Sequence, residues 1–117
     1  MKNTILGQVT LDGIVQVYID GIPLTPNRSL KIYRHSPDGF QWGYAGSGPA
    51  QLALAILLEF TEKDIAIRHY QEFKFAKIAT QRSQEWLRIE LDVLHWIQLR
   101  ECENDEHDTN ERKKHYA

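Results

Sequence analysis

The chain has a single cysteine, Cys102, so it can close no internal disulfide, and no second thiol stands at the spacing a zinc module needs. Long apolar runs are also missing: the longest, Leu52 to Leu58, falls far short of the roughly 20 residues that cross a bilayer. Met1-Lys2-Asn3-Thr4 leads into alternating residues and not into the apolar segment of a signal peptide, so a cytoplasmic location without membrane contact is expected. Nor is there an excess of one charge in the body of the chain. Residues 1–100 carry 11 Lys and Arg against 10 Asp and Glu, while residues 101–117 carry 3 against 6. A body this close to neutral argues against non-specific duplex DNA binding, which draws its affinity from many phosphate contacts on a basic face. It leaves room for one local anion site.

What is present is an ordinary globular composition, 42% hydrophobic and 26% charged, on 117 residues, enough for one core. The expected fold is α+β: a small antiparallel sheet of two hairpins packed on a buried central helix and two further helices. Residues 1–100 form this single domain, and residues 101–117 form a charged tail. Ile5 to Leu11 and Val15 to Ile19 alternate as the strands of a first hairpin. A two-residue Asp12-Gly13 turn would scatter the apolar residues of the second strand, so the phase requires an odd loop, Asp12-Gly13-Ile14, with Leu11 opposite Val15 and Val9 opposite Val17. Asp20-Gly21, Pro23 and Pro26 predict a loop or edge segment. Ser29 to Arg34 and Phe40 to Tyr44 read as a second hairpin around the turn Ser36-Pro37-Asp38-Gly39.

Gly46-Ser47-Gly48-Pro49 opens a helix running to about Phe60, and its stretch Leu52 to Leu58 is apolar on every side, as only a buried helix is. Thr61 and Asp64 resemble a capping box for a second helix with the stripe Ile65, Ala66, His69, Tyr70, Phe73. Phe75 to Thr80 and Trp86 to Ile89 read as short strands, with helix as the alternative for each. Leu91 to Arg100 reads as a last helix.

The chemistry-bearing residues concentrate between His35 and Gln51. Glycines between a strand and a buried helix are where backbone amides and the helix dipole favour an anion. Neither a P-loop nor a dinucleotide fingerprint is present, because Pro49-Ala50-Gln51 follow the glycines and Pro49 lacks an N–H. The same glycines equally serve a tight turn. Phe40, Trp42 and Tyr44 alternate and could stack nucleobases, with Lys31, Arg34 and His35 as the nearby cations, or could fill a core. His35 with Asp38 lacks a nucleophile, and a turn-stabilising role fits both. His69 and His95 fall in apolar stripes as hydrogen-bonded core or boundary residues, and Cys102, His107 and His115 belong to a solvated tail.

The stretch His35-Ser36-Pro37-Asp38-Gly39-Phe40-Gln41-Trp42-Gly43-Tyr44-Ala45-Gly46-Ser47-Gly48-Pro49-Ala50-Gln51-Leu52-Ala53-Leu54-Ala55-Ile56-Leu57 resembles the signature of a domain family of unknown function found in small bacterial, archaeal, plasmid and phage proteins. Tyr70-Gln71-Glu72-Phe73-Lys74 and the segment Val15 to Leu24 fit the same resemblance, which spans roughly residues 5–97. It implies a shared fold and a mobile-element context, and it brings no catalytic residue, substrate or cofactor. Gln41 stands where that family usually has an acidic residue, and Ala45 where glycine is common.

These observations lead to a non-enzymatic binding or inhibitor-type module, needing no cofactor or metal. It would contact a protein or an anionic small molecule through Arg34, His35, Trp42, Tyr44, Gly46, Ser47, Gly48 and Gln51. A nucleic-acid-associated accessory protein is the alternative, and a small enzyme a third.

Overall fold

Alternation of Ile5, Gly7 and Val9 with Leu6 and Gln8 gives the first strand one apolar side, and the rest of the sheet is built to match it. The computed structural model of the chain describes residues 1–36 and 39–103. Four strands form one antiparallel sheet: β1 (Asn3–Val9), β2 (Val15–Ile19), β3 (Ile22–Leu24) and β4 (Trp86–Leu91), in the order β3-β2-β1-β4. Between β3 and β4 run α1 (Asn27–Leu30), α2 (Ser47–Leu58), α3 (Lys63–Phe73) and one π-helical turn, Lys74–Ile78; α4, residues 93–103, follows β4. A single core joins Ile5, Val17, Ile19, Leu87 and Ile89 of the sheet's inner face to α2, α3, the π turn and α4. The fold is therefore α+β, with a central helix that is buried from Gly48 to Leu58.

The first hairpin has the odd loop its phase requires, but the register differs by two residues: Val9 pairs with Val15 and Gly7 with Val17. Gly13, at φ +80°, is the reason. A three-residue bulged hairpin places its left-handed residue last in the loop, so the loop is Leu11-Asp12-Gly13 and Thr10 faces Ile14. Thr10 then closes the loop, its carbonyl accepting from the Gly13 amide at 2.9 Å and its Oγ1 from the Ile14 amide at 3.0 Å. Leu11, expected opposite Val15, is left fully exposed.

Asp20 and Gly21 have φ of 50° and 81°, as a two-residue type I′ turn requires, and they fold β3 back onto β2 as an edge strand. The Asp20 carboxylate accepts from the Thr4 amide and the Asn3 side chain, both at 2.8 Å. Those two donors, the Thr4 amide foremost, hold its pKa below the ordinary 3.8. A carboxyl whose pKa is depressed by folding adds stability above its unfolded value and loses it as pH falls through the folded value. The difference in melting temperature between the wild-type chain and Asp20→Asn is thus expected to be largest above pH 3.8 and to close on further acidification, as followed by circular dichroism.

The second hairpin does not form. Residues 29–34 hold no strand: Asn27–Leu30 is a helical turn whose amides bond locally, Leu30 to the Pro26 carbonyl at 2.9 Å and Tyr33 to that of Ser29 at 3.0 Å. Phe40 and Trp42 are buried, with alternation that fills the core without a ladder, and Gly43 at φ +84° breaks the extended backbone. Of the intervening turn, Pro37 and Asp38 lie outside the described residues; the Gly39 amide donates to the Ser36 carbonyl at 3.2 Å.

The Thr61/Asp64 box is likewise absent, since Glu62 caps α3 without a side-chain hydrogen bond, although Ala66, His69, Tyr70 and Phe73 face the core as expected. His69 is buried with no hydrogen bond to Nε2, whose nearest acidic atom is Glu101 Oε1 at 3.6 Å; His95 is exposed. Phe75 to Thr80 contains no strand. The helix continues through the π turn, whose wider spacing turns both Phe73 and Ile78 inward and leaves Phe75 58% exposed. The expected strand Trp86 to Ile89 does form, extended to Leu91, so the last helix starts two residues later than expected. Asp92 caps it, with Oδ1 accepting from the His95 amide at 3.0 Å, and it runs through residue 103. The proposed tail histidines, His107 and His115, lie outside the described residues.

Candidate functional site

Residues 31–36 and 39–46 lie along the first turns of α2, and two glutamines hold them there. Gln51 is fully buried, and its amide bonds both to this segment and to α1. Its Oε1 accepts from the His35 amide at 2.8 Å and the Ser36 amide at 3.2 Å, while its Nε2 donates to Ser29 Oγ at 2.8 Å. Ser29 Oγ in turn donates to the Pro26 carbonyl at 2.9 Å. One side chain on the central helix therefore ties down two residues of a segment with no ladder of its own, and links them to Ser29 of α1.

Gln41 holds the other end. Its side chain lies over Gly48, where a Cβ would come within 2.6 Å of it, and its Oε1 accepts from the Tyr44 hydroxyl. Gly48 is buried, Gly46 is half-buried beneath the Tyr44 ring, and the Ala50 amide donates to the Gly46 carbonyl at 3.0 Å. With no N–H on Pro49 and that of Ala50 spent, the amides expected to cradle an anion reduce to those of Gly46, Ser47 and the buried Gly48. Trp42 is 1% exposed, its ring under Gly7 and its Nε1 donating to the Trp86 carbonyl at 3.0 Å. A cleft of about 230 Å³ beside it is lined by Val9, Val15, Phe40, Gln41, Tyr44 and Gln84.

His35 meets α3. Its Nε2 lies 2.8 Å from the Tyr70 hydroxyl, and the ring centroids are 5.5 Å apart; Tyr33 completes the cluster, stacked 6.2 Å from Tyr70. Of the residues singled out from the sequence, Gln51 and His35 come together, Gly48 and Tyr44 meet Gln41, and Gly46 lies beneath the Tyr44 ring. Arg34, Tyr44 and Ser47 are exposed, whereas Trp42, Gly48 and Gln51 are interior. Ser29, Tyr33 and Tyr70 were not foreseen as part of this region. Tyr70 alone had a signal, since it begins the Tyr70 to Lys74 segment of the resemblance.

Among the described residues no group of three or more His, Cys, Asp and Glu is arranged to hold a metal ion, and no described helix is long and apolar enough to cross a membrane. No curated protein and no solved structure matches the chain. A family match covers residues 5–99, taking in both the wrapped helix and the segment that wraps it, and on that match the chain belongs to the family of unknown function DUF6166.

Proposed function

We propose that the protein is a non-enzymatic binding module that engages a protein partner through the outer surface of the segment wrapped around α2. The observation that carries this reading is the Gln51 clamp. Burying an uncharged amide is costly unless it is hydrogen-bonded, and here three such bonds fasten an irregular segment and Ser29 of α1 to α2 before any partner arrives. Outward from the clamp point Tyr33, Arg34, Gln41, Tyr44 and Ser47, and Tyr and Arg are the residue types that most often anchor protein interfaces. A protein partner suits this surface better than a small anion, because Gly48 is buried beneath Gln41, Pro49 has no N–H and Ala50 has spent its own. Nucleobase stacking on Phe40 and Trp42 is disfavoured, since both rings are interior. A phage or other mobile-element origin belongs to this reading on the resemblance alone.

A photo-crosslinking phenylalanine analogue placed at Tyr33 or Tyr44, with Gln98 on α4 as control, tests the surface in extracts of the source organism. The expected result is one protein adduct from positions 33 and 44 and none from 98. A nucleic-acid adduct would move the assignment to the alternative, and adducts absent at every position would overturn it.

A further inference from the structure

The two outer edges of the sheet differ. In β1 and β2 the pairs Thr4/Asp20 and Thr10/Ile14 carry ladder hydrogen bonds, so Val17 and Ile19 bond across to β3, and Pro23, between their partners, faces the free edge. Proline offers no N–H there, so the three-residue β3 edge has almost nothing to give a further strand. At the other side, the bond from the Val9 amide to the Glu85 carbonyl, 2.9 Å, fixes the phase of β4: residues 87, 89 and 91 bond to β1, and 86, 88 and 90 turn their backbone groups outward. β4 has no proline, no lysine and no inward-facing charge, since Leu87 and Ile89 are buried and Leu91 half-buried. Proline, lysine and an inward-facing charge, which normally blunt an edge, are missing from it, and the charges it does carry, Arg88 and Glu90, are of opposite sign.

Part of this edge is already committed. The Trp86 carbonyl accepts from Trp42 Nε1 at 3.0 Å, and the Asp92 carbonyl from the Trp96 amide at 3.0 Å. Between them stand the N–H and C=O groups of Arg88 and Glu90, and among the described residues none hydrogen-bonds to these four groups. We propose that β4 is a homodimer interface, in which two copies pair antiparallel about a two-fold axis at Ile89, with Arg88 of each copy opposite Glu90 of the other.

Charge and hydrogen bonding select this register. It joins the four free backbone groups of one copy to the same four of the second, and on the outer face it sets two opposite charges across from each other twice. A shift one way puts Arg88 against Arg88 and calls on the spent Trp86 carbonyl. A shift the other way puts Glu90 against Glu90 and calls on the spent Asp92 carbonyl. Any odd offset sets outer-face residues of one copy against core-face residues of the other. On the inner face the selected register lays Ile89 against Ile89 and Leu87 against Leu91. The isologous contact closes on itself and joins the two sheets into one of eight strands.

The full chain in a sedimentation-equilibrium concentration series is expected to reach twice 13.7 kDa, with amide exchange at Arg88 and Glu90 slowing as the dimer fills. Arg88→Glu and Glu90→Arg, each placing two like-charged pairs in the interface, are expected to weaken association by about tenfold or more. The double variant is expected to restore it, and so is mixing the two single variants, which complement each other as a heterodimer. Circular dichroism keeps a folding defect separate from lost association, because both residues are exposed. A wild-type chain monomeric throughout the series, or a dimer indifferent to both single reversals, would overturn the assignment.

Discussion

Trp42→Ala is expected to lower the unfolding free energy by about 4 kcal/mol, read as a fall in the denaturant midpoint at unchanged slope. The ring is 1% exposed and lies against Gly7, where even a single added carbon would sit 2.8 Å from its Cη2. On the β1 side the space cannot be filled without moving strand backbone, since the ring there meets Gly7. Alanine also removes the donor to the Trp86 carbonyl. Trp42→Phe keeps most of the ring and loses that donor, so its loss is expected to be near 1–2 kcal/mol, separating the packing from the hydrogen bond. A Trp42→Ala variant with wild-type stability would contradict the packing described for β1 and β4.

Gln51→Ala is the second large effect, at about 3 kcal/mol in the same measurement. Three partners, the His35 amide, the Ser36 amide and Ser29 Oγ, lose their counterpart together, and each buried polar group left unmatched is worth about 1–3 kcal/mol before any water or rearrangement compensates. The change should be local as well as global. Exchange of the His35 and Ser36 amides is expected to accelerate more than that of the α2 interior, and equal acceleration everywhere would mean that Gln51 supports the helix and not the segment around it. The same variant also bears on function, because a loosened segment would have to be ordered again by its partner.

The central helix is legible in the sequence because seven consecutive apolar residues, Leu52 to Leu58, suit only an interior helix. The hairpin phase is legible too, since period-two alternation admits only an odd loop. The register is not recovered until Gly13 is recognised as the left-handed residue that must close the loop. Phe40 and Trp42 mislead for a physical reason: period two signals burial of alternate side chains, a strand is only one way to achieve it, and Tyr44, next in the period, is exposed. Here the backbone ladder is replaced by side-chain bonds, Trp42 to Trp86 on one side and Gln51 to His35 on the other. The π turn leaves no mark in local propensity, because inserting one residue changes which side chains face inward and not which residues prefer a helix. The candidate region was legible as a stretch, His35 to Gln51, and not as a division of labour. No local signal distinguishes a glutamine that meets a ligand from one that pins a loop; that depends on Ser29 being brought beneath it.

Pro23 has a consequence beyond its own strand. A sheet able to recruit copies at both margins has no natural end and grows into fibres, whereas a margin without a free N–H terminates growth wherever it lies outermost. With that terminator on β3, joining through the opposite margin exhausts the available valence in one step, so the molecule can associate without polymerising.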